Sequence, residues 1–159
     1  MMHRSDNFFA EQILLMISNE RLTAFNDKGI TNKLLGDFFN FYSKPKWVDG
    51  SGLSRYNLFT PQDFVQILSQ MKNEFTWERI STILPTGNEG TLAGYYKNYV
   101  GKIYAKTGTL SNNVSLSGFI TTQKGKQLIF SILVNNHQAS ASNIRRSIEK
   151  FLTSIIDAN

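Results

Sequence analysis

YAKTGTLSNNVSLSGFITTQKGKQLIFSILVNN, residues Tyr104 to Asn136, holds two β-rich runs on either side of a Lys-Gly pair. Val114 to Thr122 and Gln127 to Val134 are rich in β-branched and aromatic residues, and Lys124-Gly125 between them suits a tight hairpin turn. Lys102 to Leu110 alternates more weakly and precedes them in the same polarity rhythm. The expectation is an antiparallel meander of three strands.

Downstream, Ile144, Ile148, Phe151, Leu152, Ile155 and Ile156 fall on one helical face, suited to packing across that sheet. Upstream, Pro85, Gly87, Gly90 and Gly94 mark an irregular stretch. Before it, Thr60-Pro61-Gln62-Asp63 reads as a helix start: threonine caps, proline takes the first turn, and aspartate suits the positive end of the dipole. Phe64, Ile67, Leu68 and Met71 give that helix one apolar stripe. Leu34, Leu35, Phe38 and Phe39 predict another helix after Ile30, ending near Lys44-Pro45 because the residue before proline resists helical geometry. Phe8 to Ile17 reads as a largely buried helix opened by Ser5-Asp6-Asn7, whose side chains can accept bonds from free amides. Helices, then strands, then a closing helix argue for an α+β domain with an antiparallel sheet packed by helices.

The chain has 159 residues, one domain's worth, and at 41% hydrophobic and 18% charged it is globular in composition. The net charge of +5 is dispersed, and with no lysine/arginine run or RNA-binding signature nothing supports a nucleic-acid partner. Gly101-Lys102 is no phosphate loop, since Tyr96 stands where the first glycine belongs and Ile103 replaces the hydroxyl. Zero cysteines and only His3 and His137 leave no basis for a metal site, and no cofactor is expected. The run from Phe8 to Ile17 lacks a small-residue cleavage site and is too short to span a bilayer, so neither a signal peptide nor a membrane helix is expected.

Nucleophilic catalysis without histidine needs another base near a hydroxyl, and a lysine that is buried or near other cations loses its proton readily. Ser5-Asp6-Asn7 and Lys106-Thr107-Gly108 match two of the three elements, S-x-x-K, S-D-N and K-T-G, used by penicillin-recognising serine enzymes, and they occur in that order. Each alone has a plain alternative: a helix cap for the first, an exposed lysine, strand threonine and turn glycine for the second.

The wider text adds to this pair. VDGSGLSRYNLFTP (Val48 to Pro61), LPTGNEGTL (Leu84 to Leu92) and the Tyr104 to Asn136 stretch closely resemble the D-alanyl-D-alanine carboxypeptidases of the low-molecular-mass class C penicillin-binding proteins, the DacB type or S13 peptidases. The resemblance runs from Ser5 almost to the C-terminus. It implies the C-terminal part of the serine β-lactamase/transpeptidase-like fold. It also implies cleavage of the terminal D-alanine from peptidoglycan stem peptides ending in D-Ala-D-Ala, through an acyl-serine intermediate that β-lactams mimic; some such enzymes also cut cross-bridges. Extracytoplasmic or periplasmic action of the parent enzyme follows from that substrate.

Carried over by position, the resemblance implies that Ser5 relays a proton towards the leaving group with help from Lys106, and that Asn7 bonds the substrate amide. Thr107 and Thr109 would hold the terminal carboxylate, Gly108 would let substrate lie along the strand edge, and the Thr109 amide would supply one oxyanion donor. Asp49, Ser51 and Ser54 are assigned structural or cleft-edge roles. Where the family carries an arginine after Gly90-Thr91-Leu92, this chain has Ala93-Gly94-Tyr95-Tyr96, leaving side-chain specificity open and the tyrosines either packed or lining an apolar subsite.

The third motif is missing. In the family S-x-x-K lies well before S-D-N, which here begins at residue 5. The bare pattern recurs at Ser43 to Lys46, Ser69 to Lys72 and Ser147 to Lys150. All three violate the family order; Lys44-Pro45 interrupts the first, and the others fall in mid-helix. No nucleophile is identified. The expectation is that residues 1–159 form the C-terminal part of a penicillin-binding D,D-peptidase domain, inactive without its missing N-terminal part. Sheet edges left open by that absence invite self-association. The alternative is a non-catalytic module derived from the same fold that binds peptidoglycan or a protein.

Overall fold

The computed structural model describes residues 1–38 and 40–159. Its centre is one antiparallel sheet of β1 (Ile103–Leu110), β2 (Asn113–Thr121) and β3 (Gln127–Asn135), in the spatial order β1-β2-β3. The expected meander is therefore present. At its second turn Gly125 takes φ 80°, and its amide donates to the Thr122 carbonyl at 3.0 Å, closing the hairpin where Lys124-Gly125 predicted it. Register sets Lys106 opposite Ser117, Gly108 opposite Ser115, and Ser117 opposite Ser131.

Strand alternation divides the core into two layers. Ile103, Ala105, Val114, Leu116 and Ile120 face α5 (Ala141–Ala158), whose Ile148, Leu152 and Ile156 complete that layer. Phe119 faces the other way, onto Leu68 of α3 (Pro61–Glu74), Ile80 of α4 (Trp77–Ile83) and Leu84. Trp77 closes this second layer edge-on to Tyr104 and Phe119, with ring centroids 5.3 and 5.5 Å away. The α5 stripe is narrower than predicted. Phe151 is 56% exposed, because a helix crossing a narrow sheet buries its i, i+4 line and Phe151 lies about 100° from Leu152 on the helix.

The start of α3 follows the sequence. Thr60 accepts the Asp63 amide at 3.2 Å, and Asp63 accepts the Thr60 amide at 2.7 Å, a reciprocal capping box ahead of Pro61. Asp63 does more than suit the helix dipole. It is buried and also takes the Ser43 hydroxyl at 2.7 Å; burial would raise its carboxyl pKa, but the bonds from Ser43 and Thr60 outweigh that and hold it low. Helix α4 carries no periodic signal in the sequence, since seven residues are too few to show one, and its one mark is the capping threonine, Thr76.

At the N-terminal end α1 (Asn7–Leu22) packs on α2 (Asp27–Phe38). Phe39, expected in the second helix, lies outside the described residues. Leu14 and Ile30 are buried there, and Ser18 is satisfied by donating to the Ala24 carbonyl and accepting the Asn26 amide. The expectation of a largely buried first helix is corrected. Phe9, Ile13 and Met16 recur at helical spacing on a face that is exposed, Met16 at 68%, because the face opposite α2 has nothing packed on it among the described residues. No helix of the described residues is long and apolar enough to cross a membrane.

Candidate active site

Of the three residues expected to open α1, only Asp6 caps it, accepting the Phe9 amide at 3.0 Å; Asn7 is the first helical residue and is exposed. Ser5 is thus free of capping. It sits at φ 54°, the left-handed region that costs a residue with a side chain about 1 kcal/mol or more. The surrounding segment enforces this: the Asp6 amide bonds the Met1 carbonyl, Met2 packs against the Phe119 layer, and the His3 ring bonds the Thr82 carbonyl at 3.1 Å. Gly90 is needed beside it, since a Cβ there would come within 2.5 Å of the His3 carbonyl oxygen.

Lys106 reaches this turn from the face of β1 opposite α5. Its Nζ donates to Ser5 Oγ at 2.7 Å and to the Thr107 carbonyl at 2.6 Å. Burial of the ammonium pushes its pKa below the ordinary lysine value of 10.5. An ammonium donating to a hydroxyl leaves that hydroxyl's own proton directed elsewhere, so the pair can pass a proton outward from lysine through serine. The side chain of Asn7 makes no bond to these groups among the described residues.

The outer edge of β1 has its own geometry. The Ala105 amide donates to the Pro85 carbonyl at 3.1 Å, so it points away from β2; by the two-residue alternation the amides of Thr107 and Thr109 point to the same outer edge. Residues 85 and 86 cover that edge only as far as Ala105, and beyond it no strand pairs with β1 among the described residues. The Thr109 amide therefore faces a position where an extended peptide can lie. Thr107 lines a narrow cleft with Thr91, Tyr95, Ser115 and Arg145, and Thr109 Oγ1 accepts a bond from Arg145 Nη2 at 2.6 Å. At Gly108 a Cβ would collide with the Ser115 hydroxyl opposite, a cross-strand reason for glycine beside the expected one.

Asp49 holds its loop as a structural residue, accepting the amides of Gly52 and Ser54 at 2.7 Å each and the Asn57 amide group at 2.9 Å. Arg55 carries that loop to the β1–β2 turn, donating to the Ser111 carbonyl. Tyr96 is buried and packs, Tyr95 lies under Arg146, 4.2 Å from its ring centroid, and both border the cleft. The remaining serine candidates are occupied in helices and caps. Ser43 is bound to Asp63, Ser69 is inside α3, and Ser147 donates to the Asn143 carbonyl within α5. Sequence reading missed Arg145 and Glu11, the first because it resembles any solvated helix charge, the second because it interrupts an apolar run.

Comparison with known proteins bears on the family and the fold. The chain is 34% identical over 94 residues to the D-alanyl-D-alanine carboxypeptidase DacB of Haemophilus influenzae, a match covering 56% of this chain and 20% of that protein. It is 39% identical over 101 residues to the D-alanyl-D-alanine carboxypeptidase of Actinomadura sp. strain R39, covering 58% of this chain and 19% of that one. The chain thus spans about a fifth of the length of these curated relatives. A crystal structure of penicillin-binding protein 4 (dacB) from H. influenzae, complexed with a β-lactam, superposes with a TM-score of 0.86 at 20% identity over 99% of this chain and 40% of that chain. A penicillin G-acylated predatory endopeptidase from Bdellovibrio bacteriovorus, in complex with an immunity protein, superposes with a TM-score of 0.79 at 18% identity, over 100% of this chain and 44% of that one. These two show the fold. The sequence profile of one family matches residues 1–155, nearly the whole chain, and so the chain belongs to the D-Ala-D-Ala carboxypeptidase 3 (S13) family.

Proposed function

We propose that this chain supplies the S-D-N and K-T-G side of a serine-type D-Ala-D-Ala carboxypeptidase cleft, with the S-x-x-K nucleophile carried by an N-terminal part of the same enzyme. The observation that carries the reading is the 2.7 Å bond from Lys106 Nζ to Ser5 Oγ, which joins the two motifs across 101 residues of sequence. In the proposed reaction the nucleophile's oxygen bonds the carbonyl carbon of the penultimate D-alanine, and its proton passes to the lysine of S-x-x-K. As the C–N bond to the terminal D-alanine breaks, the departing nitrogen takes the Ser5 proton and Lys106 restores it. Water then cleaves the acyl-serine ester. The outward amide of Thr109 suits the developing oxyanion, Asn7 the substrate amide, and the Thr107 and Thr109 hydroxyls the terminal carboxylate. The substrate class is the peptidoglycan stem peptide, the site of action is outside the cytoplasmic membrane, and β-lactams are the acylating inhibitors of the complete enzyme.

The bare Phe9-Ile13-Met16 stripe and the open strand edges support a missing partner layer, since exposed apolar faces of this kind are normally covered. Fluorescent penicillin, denaturing separation and intact mass test the reading. The chain alone should remain unlabelled while folded, and addition of the S-x-x-K-bearing part should restore labelling. Labelling of the chain alone would place the nucleophile within it, and no labelling of the reconstituted pair would favour the non-catalytic binding module.

A further inference from the structure

Arg145 lies in the opening turns of α5, whose start is fixed by Ser140: its hydroxyl accepts the Asn143 amide at 3.2 Å. From there the guanidinium reaches the end of β1 and donates to Thr109 Oγ1 at 2.6 Å. A hydroxyl that accepts from arginine has its own proton free for a second acceptor, so the bond sets the Thr109 hydroxyl as a donor. The two arginines here differ in charge balance. Arg146 is neutralised by Glu149 at 2.6 Å, whereas Arg145 makes no ion pair among the described residues, and no carboxylate lines the cleft it borders. The cleft holds another polar atom in need: Thr91 Oγ1 is buried without a hydrogen-bond partner among the described residues. Thr107, Thr91 and the Arg145 guanidinium thus line one cleft floored by Leu92, Leu116 and Ile148, and Arg145 links it to Thr109 at the end of β1, with no carboxylate among the lining residues.

We infer that Arg145 is a positioning and specificity residue, orienting the Thr109 hydroxyl and holding the cleft positive so that substrates with a free C-terminal carboxylate are preferred over neutral C-termini. This rests on the carboxypeptidase reading above. It adds a residue from the C-terminal helix, outside both short motifs, to the machinery.

The test uses the complete enzyme that carries this chain, with an acyl-D-Ala-D-Ala peptide and its C-terminal amide as paired substrates. Arg145→Ala should lower kcat/KM for the free acid by about 10- to 100-fold, the range for hydrogen bonds to charged groups, chiefly through KM, while the amide changes little. Arg145→Lys should keep part of the preference, and Lys150→Ala, which removes an exposed charge from the same helix, should keep all of it. An unchanged acid-to-amide ratio in a folded Arg145→Ala enzyme, or an equal loss on both substrates, overturns the inference. Should Arg145→Ala not fold, the ratio in Arg145→Lys and Arg145→Gln decides in the same way. Hydrolysis of neither substrate by the unaltered enzyme overturns the carboxypeptidase reading itself, and the inference with it.

Discussion

Glu11, on α1, accepts the amides of both Gly50 and Ser51, at 3.0 and 2.9 Å, tying the helix that follows Ser5 to the loop that Asp49 folds. The contact is close: a Cβ at Gly50 would lie 2.6 Å from the Ala10 carbonyl oxygen. Partial burial would raise the Glu11 carboxyl pKa, but the Ser51 hydroxyl and the two amides outweigh it and hold the group below its ordinary 4.5. Glu11→Ala leaves two amides without their acceptor and should cost about 1–3 kcal/mol in denaturant unfolding, with Glu11→Gln costing less. The sign follows from linkage: the carboxylate's contribution is whole above 4.5 and disappears as pH falls through the lower folded value. Stabilities of the native and Glu11→Ala proteins measured at neutral pH and well below 4.5 should therefore converge in acid.

Lys106 makes a prediction at the other end of the pH scale. Because desolvation lowers its pKa, the ammonium that donates to Ser5 is lost at a pH below 10.5, and the alkaline limb of penicillin acylation by the complete enzyme should fall there. Lys106→Met should reduce the acylation rate by about 10²–10⁴-fold, the range for a positioned proton donor. Between the lowered folded value and 10.5 the unfolded chain holds a proton on this lysine that the folded one has released, so the Lys106 contribution to stability rises with pH across that window, opposed above 10.0 by the raised Tyr96 and Tyr99. That rise should be absent in Lys106→Met, measured as unfolding midpoint against pH.

The sheet and the caps were legible in the sequence because their causes are local. Lys124-Gly125 names a turn whatever surrounds it, and Thr60-Pro61-Gln62-Asp63 carries its capping box within four residues. The pairing of Ser5 with Lys106 could be expected from the two motifs, but its distance and the left-handed turn behind it depend on Met2, His3 and Gly90, which no local pattern connects. Exposure was the harder property. Phe9 and Phe151 look like core residues to any periodicity argument, and only the number of layers present decides whether something covers them. Arg145 shows the same limit in the site, since its bond to Thr109 is a product of how α5 crosses the sheet.

Gly118 sits opposite Ala105 in the sheet, and a Cβ there would fall 2.6 Å from the Ala105 Cα, a backbone atom that cannot turn aside. Gly118→Ala should therefore separate β1 from β2 and destabilise by about 1–3 kcal/mol, as overpacking does. Because Lys106 is next to Ala105, the same change should lower penicillin labelling of the complete enzyme. Gly36 is the contrast: it is exposed in α2 with nothing among the described residues within 4 Å of an added Cβ, and Gly36→Ala should stabilise by about 0.5–1 kcal/mol. Thermal unfolding of the two variants side by side checks both signs.

The stripe of Phe9, Ile13 and Met16 on α1 is 55%, 43% and 68% exposed in the chain alone, so covering it with the proposed N-terminal part would contribute about 1–2 kcal/mol per side chain. Ile13→Glu with Met16→Glu places good helix formers at exposed positions, so α1 should keep its helicity by circular dichroism. The loss of two apolar anchors should weaken reassembly with the S-x-x-K-bearing part by about 100-fold or more, read as the concentration needed to restore penicillin labelling. The same pair of changes should lower any self-association of the isolated chain seen by sedimentation at several concentrations, since the stripe is then the surface that a second copy covers. Reassembly and sedimentation both unaffected by the double change would show that the partner layer lies elsewhere, on the open edge of β3, where substitution by lysine along Gln127–Asn135 would then carry the effect.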